Sequence, residues 1–159
     1  MKGYLANGLF SIGDRLVNEM IAKEVRKALE GIDLYLPQEN AAINDKSAFA
    51  DAVAIAGADM DKLSESDFLI AVIDGVEIDS GVAAEIGAFY AQGRPIFALY
   101  SDVRQQGRDN DKKINALIKD GTENQFMYRN LFVIGLIKKS GGGVFSNIKD
   151  LVAALKAEI

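Results

Sequence analysis

Short runs of apolar residues alternate along this chain with longer segments in which apolar residues recur every three or four positions. This alternation is typical of a parallel β-sheet covered by α-helices. Two of the runs, FLIAVI and IFALY, contain no charged residue, which predicts strands that are buried on both faces. Together the apolar runs predict five strands, over residues 2–6, 32–36, 68–73, 96–100 and 131–134.

The segments between the predicted strands carry the signals of helices. Ser11 and Asp14 form a capping-box pattern at the start of a helix over residues 13–30, and Gly31 is placed to end it. The same spacing of apolar residues predicts further helices over residues 47–64, 81–92 and 146–159.

These elements predict a single domain over residues 1–159. Its fold class is α/β: a flavodoxin-like, doubly wound parallel sheet of five strands in the order 2-1-3-4-5, with helices on both faces. Residues 101–113 are rich in charged and amide side chains and predict an exposed, mobile loop, while the glycines at 141–143 predict a flexible joint. Ligands of such sheets bind outside the carboxyl ends of the strands, so we expect the functional residues in that region.

Composition limits the chemistry that this chain can perform. Among its 159 residues there is no cysteine and no histidine, which excludes thiol nucleophiles, imidazole bases and the usual zinc sites. The net charge of −5 argues against nucleic acid as a partner. No apolar run is long enough to span a bilayer, so we expect no membrane partner and a cytoplasmic location.

An unusual carboxylate lies in the third predicted helix. Glu85 is the only charged residue in GVAAEIGAFYAQ, and small neighbours such as Gly81 leave room for a ligand. Three more acids precede it in the loop after the third strand, at Asp74, Glu77 and Asp79. Such a group suits glycosyl transfer or a magnesium ion. The alternatives are structural: Asp79 would cap the helix, and Glu85 would face solvent or an arginine.

Three segments together resemble a known family. They are YLA at residues 4–6 followed by Phe10, Asp59 ahead of DFLIAVID, and DSGVAAEIGA at residues 79–88. In this combination the sequence resembles the nucleoside 2-deoxyribosyltransferases.

The resemblance implies a role for each matching residue. Glu85 corresponds to the nucleophile, Asp79 and Asp59 to the two assisting carboxylates, and Tyr4 to the tyrosine that orients the nucleophile. The residues implied to bind substrate are Phe10, Gln38, Asn40, Gly81 and Asn130, the last lent by a neighbouring subunit. Ala41 lies about where some family members carry a glutamine that contacts the base, which leaves the base preference open.

The activity implied by the resemblance is transfer of 2-deoxyribose between purine or pyrimidine bases, through a covalent glutamyl-deoxyribosyl intermediate, in nucleotide salvage. The partners are then a 2′-deoxynucleoside, a free nucleobase and further copies of the chain in a homo-oligomer. No cofactor and no metal are implied. Two alternatives remain: an N-glycosidase of 2′-deoxynucleoside 5′-monophosphates, in which Arg108, Lys112 or Lys113 binds the phosphate, and a non-catalytic nucleotide-binding module.

Overall fold

A five-stranded parallel sheet forms the centre of the molecule. The computed structural model describes residues 1–41 and 50–158. Its strands follow the order β2-β1-β3-β4-β5, and every neighbouring pair is parallel, which confirms the predicted flavodoxin-like sheet. The strands are β1 (Lys2–Ala6), β2 (Asp33–Tyr35), β3 (Phe68–Val72), β4 (Ile96–Leu99) and β5 (Gly143–Phe145).

Helices connect the strands and cover both faces of the sheet. In the described parts of the chain, no helix is long and apolar enough to cross a membrane. Short 3₁₀ turns lie at Pro37–Glu39, Val103–Gln105 and Gly121–Glu123. The α-helices are α1 (Ile12–Ala28), α2 (Ala52–Glu65), α3 (Ser80–Tyr90), α4 (Asp111–Lys119), α5 (Leu131–Lys139) and α6 (Ile148–Glu158).

Side-chain caps fix where the first two helices begin. The capping box predicted for α1 is present, because Ser11 Oγ accepts from the Asp14 backbone N–H at 3.0 Å and the Asp14 carboxylate accepts from the Ser11 N–H. At the start of α2, Asp51 accepts from the Ala54 N–H at 2.8 Å. The start predicted for this helix, residues 47–49, lies outside the described residues, as do residues 42–46 of the preceding loop.

The sheet separates two apolar cores because alternate residues of each strand face opposite sides. Tyr4 of β1 packs with α2, α3 and α5, where Phe89 and Ile134 are buried. Leu5, the next residue, packs with α1 and α6, where Val25 and Leu155 are buried. This alternation decides which β1 side chains meet α3.

The predicted fifth strand is wrong, because residues 131–134 begin helix α5. Asn130 Oδ1 caps this helix by accepting from the N–H groups of Phe132 and Val133, at 3.1 and 3.2 Å. Val133 and Ile137 face the core, whereas Phe132 is 75% exposed. Such spacing is helical, but a short apolar run does not distinguish a buried strand from a helix. The fifth strand is Gly143–Phe145, which begins within the glycine segment predicted to be a flexible joint.

Residues 101–113 are largely exposed, as predicted, but they are more regular than the predicted loop. The segment contains the 3₁₀ turn Val103–Gln105 and the first residues of α4. Gln105 is buried, and its Nε2 donates to the Gln125 carbonyl at 2.8 Å. Lys113 Nζ donates to the carbonyl oxygens of Arg104 and Gln106, at 2.9 and 2.5 Å. These bonds join the two ends of the segment to one another and to the chain at Gln125.

Candidate active site

A buried tyrosine and a glutamate meet where β1 faces α3. Tyr4 is fully buried, and its hydroxyl donates a hydrogen bond of 2.5 Å to Glu85 Oε1. Burial raises the pKa of Glu85 to about 7, and the hydrogen bond from Tyr4 opposes this rise. Burial and the nearby Glu85 charge also raise the pKa of Tyr4, so that its hydroxyl stays protonated. The pair therefore provides a carboxyl that titrates near neutrality, oriented by a permanent donor.

Helix α3 brings Glu85 to this position. Asp79 Oδ1 accepts from the N–H groups of Gly81 and Val82, at 2.9 and 3.0 Å, which starts the helix. Ile86 packs in the core beside the sheet, and Glu85, its neighbour, lies at the edge of the same buried face. The capping role considered for Asp79 from the sequence is thus present. Its charge also raises the pKa of Glu85.

A second carboxyl approaches the same tyrosine from α2. Burial raises the pKa of Asp59, and the nearby Tyr4 hydroxyl opposes the rise. The charge of Asp59 in turn raises the pKa of Glu85. Two half-buried carboxyls near one hydroxyl do not readily ionise together, because like charges disfavour one another.

An open groove between α2 and α3 gives access to both carboxyls. Its volume is about 510 Å³, and of the described residues that line it only Asp59 and Glu85 are charged. The remainder of the lining is apolar or small: Ala52, Ile55, Ala56, Met60, Leu63, Gly81, Ala84 and Ala88. The groove therefore combines a flat apolar surface with two acids, which suits a planar, weakly polar ligand such as a nucleobase.

The other loop acids do not join this site. Asp74 binds Ser101 instead, accepting from its N–H and its hydroxyl, both at 2.6 Å, and so links the loops after β3 and β4. Glu77 is exposed. Within residues 1–41 and 50–158, no three acidic side chains converge closely enough to hold a metal ion. Of the four acids that the sequence places before and in α3, only Asp79 and Glu85 act on one another.

The residues predicted to bind substrate occupy different surroundings. Phe10 is 79% exposed in the loop between β1 and α1. Gln38 Oε1 accepts from Asn18 Nδ2 at 2.8 Å, which directs the Gln38 side chain to α1. Asn40 Nδ2 donates to the Tyr35 hydroxyl at 3.0 Å. Gly81 lines the groove, and Asn130 caps α5 as described above.

Two residues near the site escaped the sequence analysis. Tyr35 is paired in register with Tyr4, and the centres of their rings are 5.3 Å apart. Asn18 is buried, accepts from Asn7 Nδ2 at 2.8 Å and donates to the Gly8 carbonyl at 3.0 Å, which fixes the loop after β1. An amide on the apolar stripe of α1 is a signal that could have identified Asn18. Tyr35 could be found only from the register of β2 against β1.

A family model described as nucleoside 2-deoxyribosyltransferase matches residues 4–117. The chain belongs to this family. The match confirms the resemblance inferred from the sequence motifs and includes Tyr4, Asp59, Asp79 and Glu85. Asn130 lies beyond the matched range.

Solved structures share the fold of this family member. A conserved protein from Enterococcus faecalis V583 is 49% identical, with a TM-score of 0.88 over 99% of this chain and 98% of that one. A 2-deoxyribosyltransferase from Bacillus psychrosaccharolyticus is 20% identical, with a TM-score of 0.66 over 96% and 90% of the two chains. A CMP N-glycosidase from Clostridium botulinum is 18% identical, with a TM-score of 0.54 over both full chains. A comparison with proteins of curated function gave no significant match.

Proposed function

We propose that this protein is a nucleoside 2-deoxyribosyltransferase that exchanges the base of a 2′-deoxynucleoside through an ester on Glu85. The observation that carries the proposal is the buried Tyr4–Glu85 hydrogen bond beside Asp59. It supplies an oriented carboxylate nucleophile and, next to it, a carboxyl whose pKa is raised by burial. A carboxylate can attack an anomeric carbon, and a neighbouring acid can protonate the leaving group.

The proposed reaction has two balanced halves. In the first, a Glu85 carboxylate oxygen bonds to C1′ of the deoxyribose while the C1′–N bond breaks, and the base leaves with the bonding electron pair. Asp59 or Asp79 gives a proton to the departing nitrogen. In the second, a nitrogen of the incoming base attacks C1′, the ester bond breaks, and the proton returns to the same acid. Glu85 is then an ionised carboxylate again.

The proposed substrate contacts extend beyond the two carboxyls. The apolar groove next to Gly81 would hold the base, and Phe10, exposed in the loop after β1, would cover it. Asn130 would bind sugar hydroxyls in the site of a neighbouring subunit of a homo-oligomer. The support for this is that Leu131 and Phe132, which follow Asn130, are each 75% exposed and apolar. The role of this enzyme would be nucleotide salvage.

The second candidate is an N-glycosidase that releases the base of a 2′-deoxynucleoside 5′-monophosphate to water. One observation favours it: among the three basic residues suggested by the sequence, Arg108 lines a cavity of about 340 Å³ at the ends of β4 and β5. Lys113 is instead occupied with backbone carbonyl groups. Ser101 and Asn147 line the same cavity and add polar groups suited to a phosphate.

The deciding experiment incubates the protein with 2′-deoxyinosine and, separately, with its 5′-monophosphate, each with and without adenine, and analyses the products. Transfer gives 2′-deoxyadenosine from the nucleoside only when adenine is present, whereas the N-glycosidase gives deoxyribose 5-phosphate from the monophosphate in both cases. Glu85→Ala is expected to abolish exchange and to leave the fold intact, because alanine suits a helix. Glu77→Ala, which removes an exposed acid from the preceding loop, is the matched control and should exchange normally.

A second experiment tests the covalent step. A nucleoside fluorinated at C2′ is expected to leave its sugar on Glu85, and mass spectrometry of proteolytic fragments would locate the added mass. Exchange at the normal rate in Glu85→Ala would refute the mechanism. Binding of nucleoside without turnover over hours would favour a non-catalytic binding module.

A further inference from the structure

Tyr35 lies beside the Tyr4–Glu85 pair and has no role in the reaction as proposed above. Because β1 and β2 are parallel with Tyr4 opposite Tyr35, the two side chains project from the same face of the sheet. Their ring centres are 5.3 Å apart, and the ring planes are inclined by 43°. Burial is the main cause that raises the pKa of Tyr35, the hydrogen bond with Asn40 opposes the rise, and the charges of Asp59 and Glu85 add to it.

Asn40 fixes the direction of the Tyr35 hydroxyl. Its Nδ2 donates to the phenolic oxygen at 3.0 Å. Asn40 ends the 3₁₀ turn Pro37–Glu39, and its N–H donates to the Pro37 carbonyl at 3.1 Å. The turn is held to α1, because Arg26 donates to both carboxylate oxygens of Glu39, at 3.0 and 2.8 Å. The hydroxyl is therefore held by a braced turn.

The proton of this hydroxyl is available to a ligand. A phenol has one proton to donate and oxygen lone pairs that accept, and Asn40 uses only the oxygen of Tyr35. Over residues 1–41 and 50–158, no protein acceptor takes the Tyr35 proton. The raised pKa keeps that proton in place throughout the neutral range.

The described lining of the groove has few polar groups that could recognise a base. Ala41 follows Asn40 and lies about where some members of the family carry a glutamine that contacts the base, and an alanine side chain has no polar atom. Among the described residues, the groove offers only Asp59 and Glu85 as charged groups, and the proposed reaction uses both. A polar side chain next to the Tyr4–Glu85 pair is therefore a candidate for recognising the base.

We propose that the Tyr35 hydroxyl, oriented by Asn40, donates a hydrogen bond to an acceptor atom of the nucleobase and so contributes to base selection. The ligand class is a purine or pyrimidine with a ring nitrogen or carbonyl oxygen directed toward β2. The inference rests on the proposed function, since it takes Glu85 and Asp59 to be the groups that act on the sugar and the leaving nitrogen.

Direct binding of free adenine and hypoxanthine, measured by calorimetry, tests this assignment apart from turnover. Tyr35→Phe removes the hydroxyl and retains the ring next to Tyr4, and is expected to weaken binding about fivefold, the usual contribution of one hydrogen bond. Tyr90→Phe, at the far end of α3, is the matched control and should bind normally. Exchange kinetics should show a raised KM in Tyr35→Phe, with a smaller change in kcat.

A second variant and a set of analogues complete the test. Asn40→Ala should weaken binding no more than Tyr35→Phe and add nothing to it in the double variant, because both changes affect one contact. Purine analogues that each lack one ring nitrogen should identify the atom that accepts the hydrogen bond. The analogue that lacks the accepting nitrogen should bind equally well to wild type and to Tyr35→Phe.

The outcomes separate the two proposals. If wild type binds free bases but never exchanges them, the transferase proposal fails, and the Tyr35 contact is still judged by binding. If wild type and Tyr35→Phe bind every base equally, or if only Asn40→Ala weakens binding, the assignment of Tyr35 is overturned. If wild type binds no base at all, both proposals fail.

Discussion

The Tyr4 hydroxyl donates a hydrogen bond of 2.5 Å to Glu85 Oε1, and this contact joins the second strand of the sheet, β1, to helix α3. Tyr4 is fully buried, so the phenol cannot turn away to bind water instead. The hydrogen bond stabilises the ionised form of a carboxyl whose pKa burial raises to about 7. The Tyr4 hydroxyl should therefore set the pH at which Glu85 ionises and, with it, the pH dependence of base exchange.

Tyr4→Phe is expected to move the acid limb of the kcat/KM profile to higher pH. Wild type should lose activity below about pH 7, as Glu85 gains a proton and ceases to be a nucleophile. Without the hydrogen bond the pKa of Glu85 rises further, and the limb should move up by about one to two pH units. Base exchange measured from pH 5 to pH 9 checks this, with Tyr90→Phe as control. An unchanged limb in Tyr4→Phe would show that the hydrogen bond does not tune Glu85.

Glu85→Gln is expected to make the protein more stable at pH 8. The pKa of Glu85 is 4.5 in its ordinary state and about 7 in the folded protein, so between these values the folded state keeps a proton that the unfolded state has lost. Stability is then greatest below pH 4.5 and falls as the pH rises through 7, by about 3 kcal/mol in total. Glutamine carries no charge and avoids this loss.

Urea denaturation at pH 5 and pH 8 measures the effect. The advantage of Glu85→Gln over wild type should be larger at pH 8 than at pH 5, by an amount of the order of 2 kcal/mol. Glu77→Gln, an exposed substitution in the loop before α3, should differ from wild type equally at both pH values. A pH-independent difference for Glu85→Gln would mean that Glu85 is ionised in the folded state well below neutral pH.

The sequence was sufficient to predict the order of the sheet, and the family resemblance predicted the contact between Tyr4 and Glu85. The strands FLIAVI and IFALY are apolar throughout and bounded by polar or proline residues, so their type is unambiguous. Glu85 was identifiable because a single carboxylate lies in a helix of small and apolar residues. The place of Asp59 near the carboxyl end of its helix is unfavourable for an anion, but only the family resemblance chose it over Asp61.

The errors have a common physical cause. The run after Asn130 is apolar enough for a buried strand, and only its contacts with α3 and the sheet select the helix α5. The three residues of β5 are too few to carry a period, and they follow Gly142, whose backbone lies directly against Ile96 of β4. Tyr35 joins the site through pairing between strands, and register is a property of the folded sheet rather than of a local segment.

Gly142→Ala is expected to destabilise the sheet at β5. A Cβ atom at Gly142 would lie 2.0 Å from the carbonyl oxygen of Ile96, the first residue of β4, so the backbones would have to separate. We expect a loss of about 3 kcal/mol in the free energy of unfolding, measured with urea. Gly135→Ala is the contrasting variant: no atom of the described chain lies within 4 Å of its new Cβ, and alanine should stabilise α5 by about 0.5–1 kcal/mol. Equal effects of the two variants would contradict this packing argument.

Asn130 is expected to have two separable roles. Its Oδ1 caps α5, so Asn130→Ala should lower stability by about 1 kcal/mol. Asn130→Asp retains a capping oxygen and should keep that stability. If the amide also binds sugar hydroxyls in a neighbouring subunit, Asn130→Asp should still reduce base exchange by tenfold or more, because it exchanges an NH₂ donor for a negative charge. Wild-type exchange in Asn130→Asp would limit this residue to capping.

Mixing two inactive variants tests whether the site is shared between subunits. Protomers with Glu85→Ala lack the nucleophile, and protomers with Asn130→Asp lack the amide donor. In a mixed oligomer, an Asn130→Asp protomer can supply the nucleophile and a neighbouring Glu85→Ala protomer can supply the amide. The site between these two protomers is then complete. Exchange activity should therefore reappear after the two variants are unfolded together and refolded, to about a quarter of wild type if they assemble at random into pairs. As a control, neither variant should recover activity when it is refolded alone. If the mixture also recovers none, Asn130 and Glu85 of one site belong to the same chain.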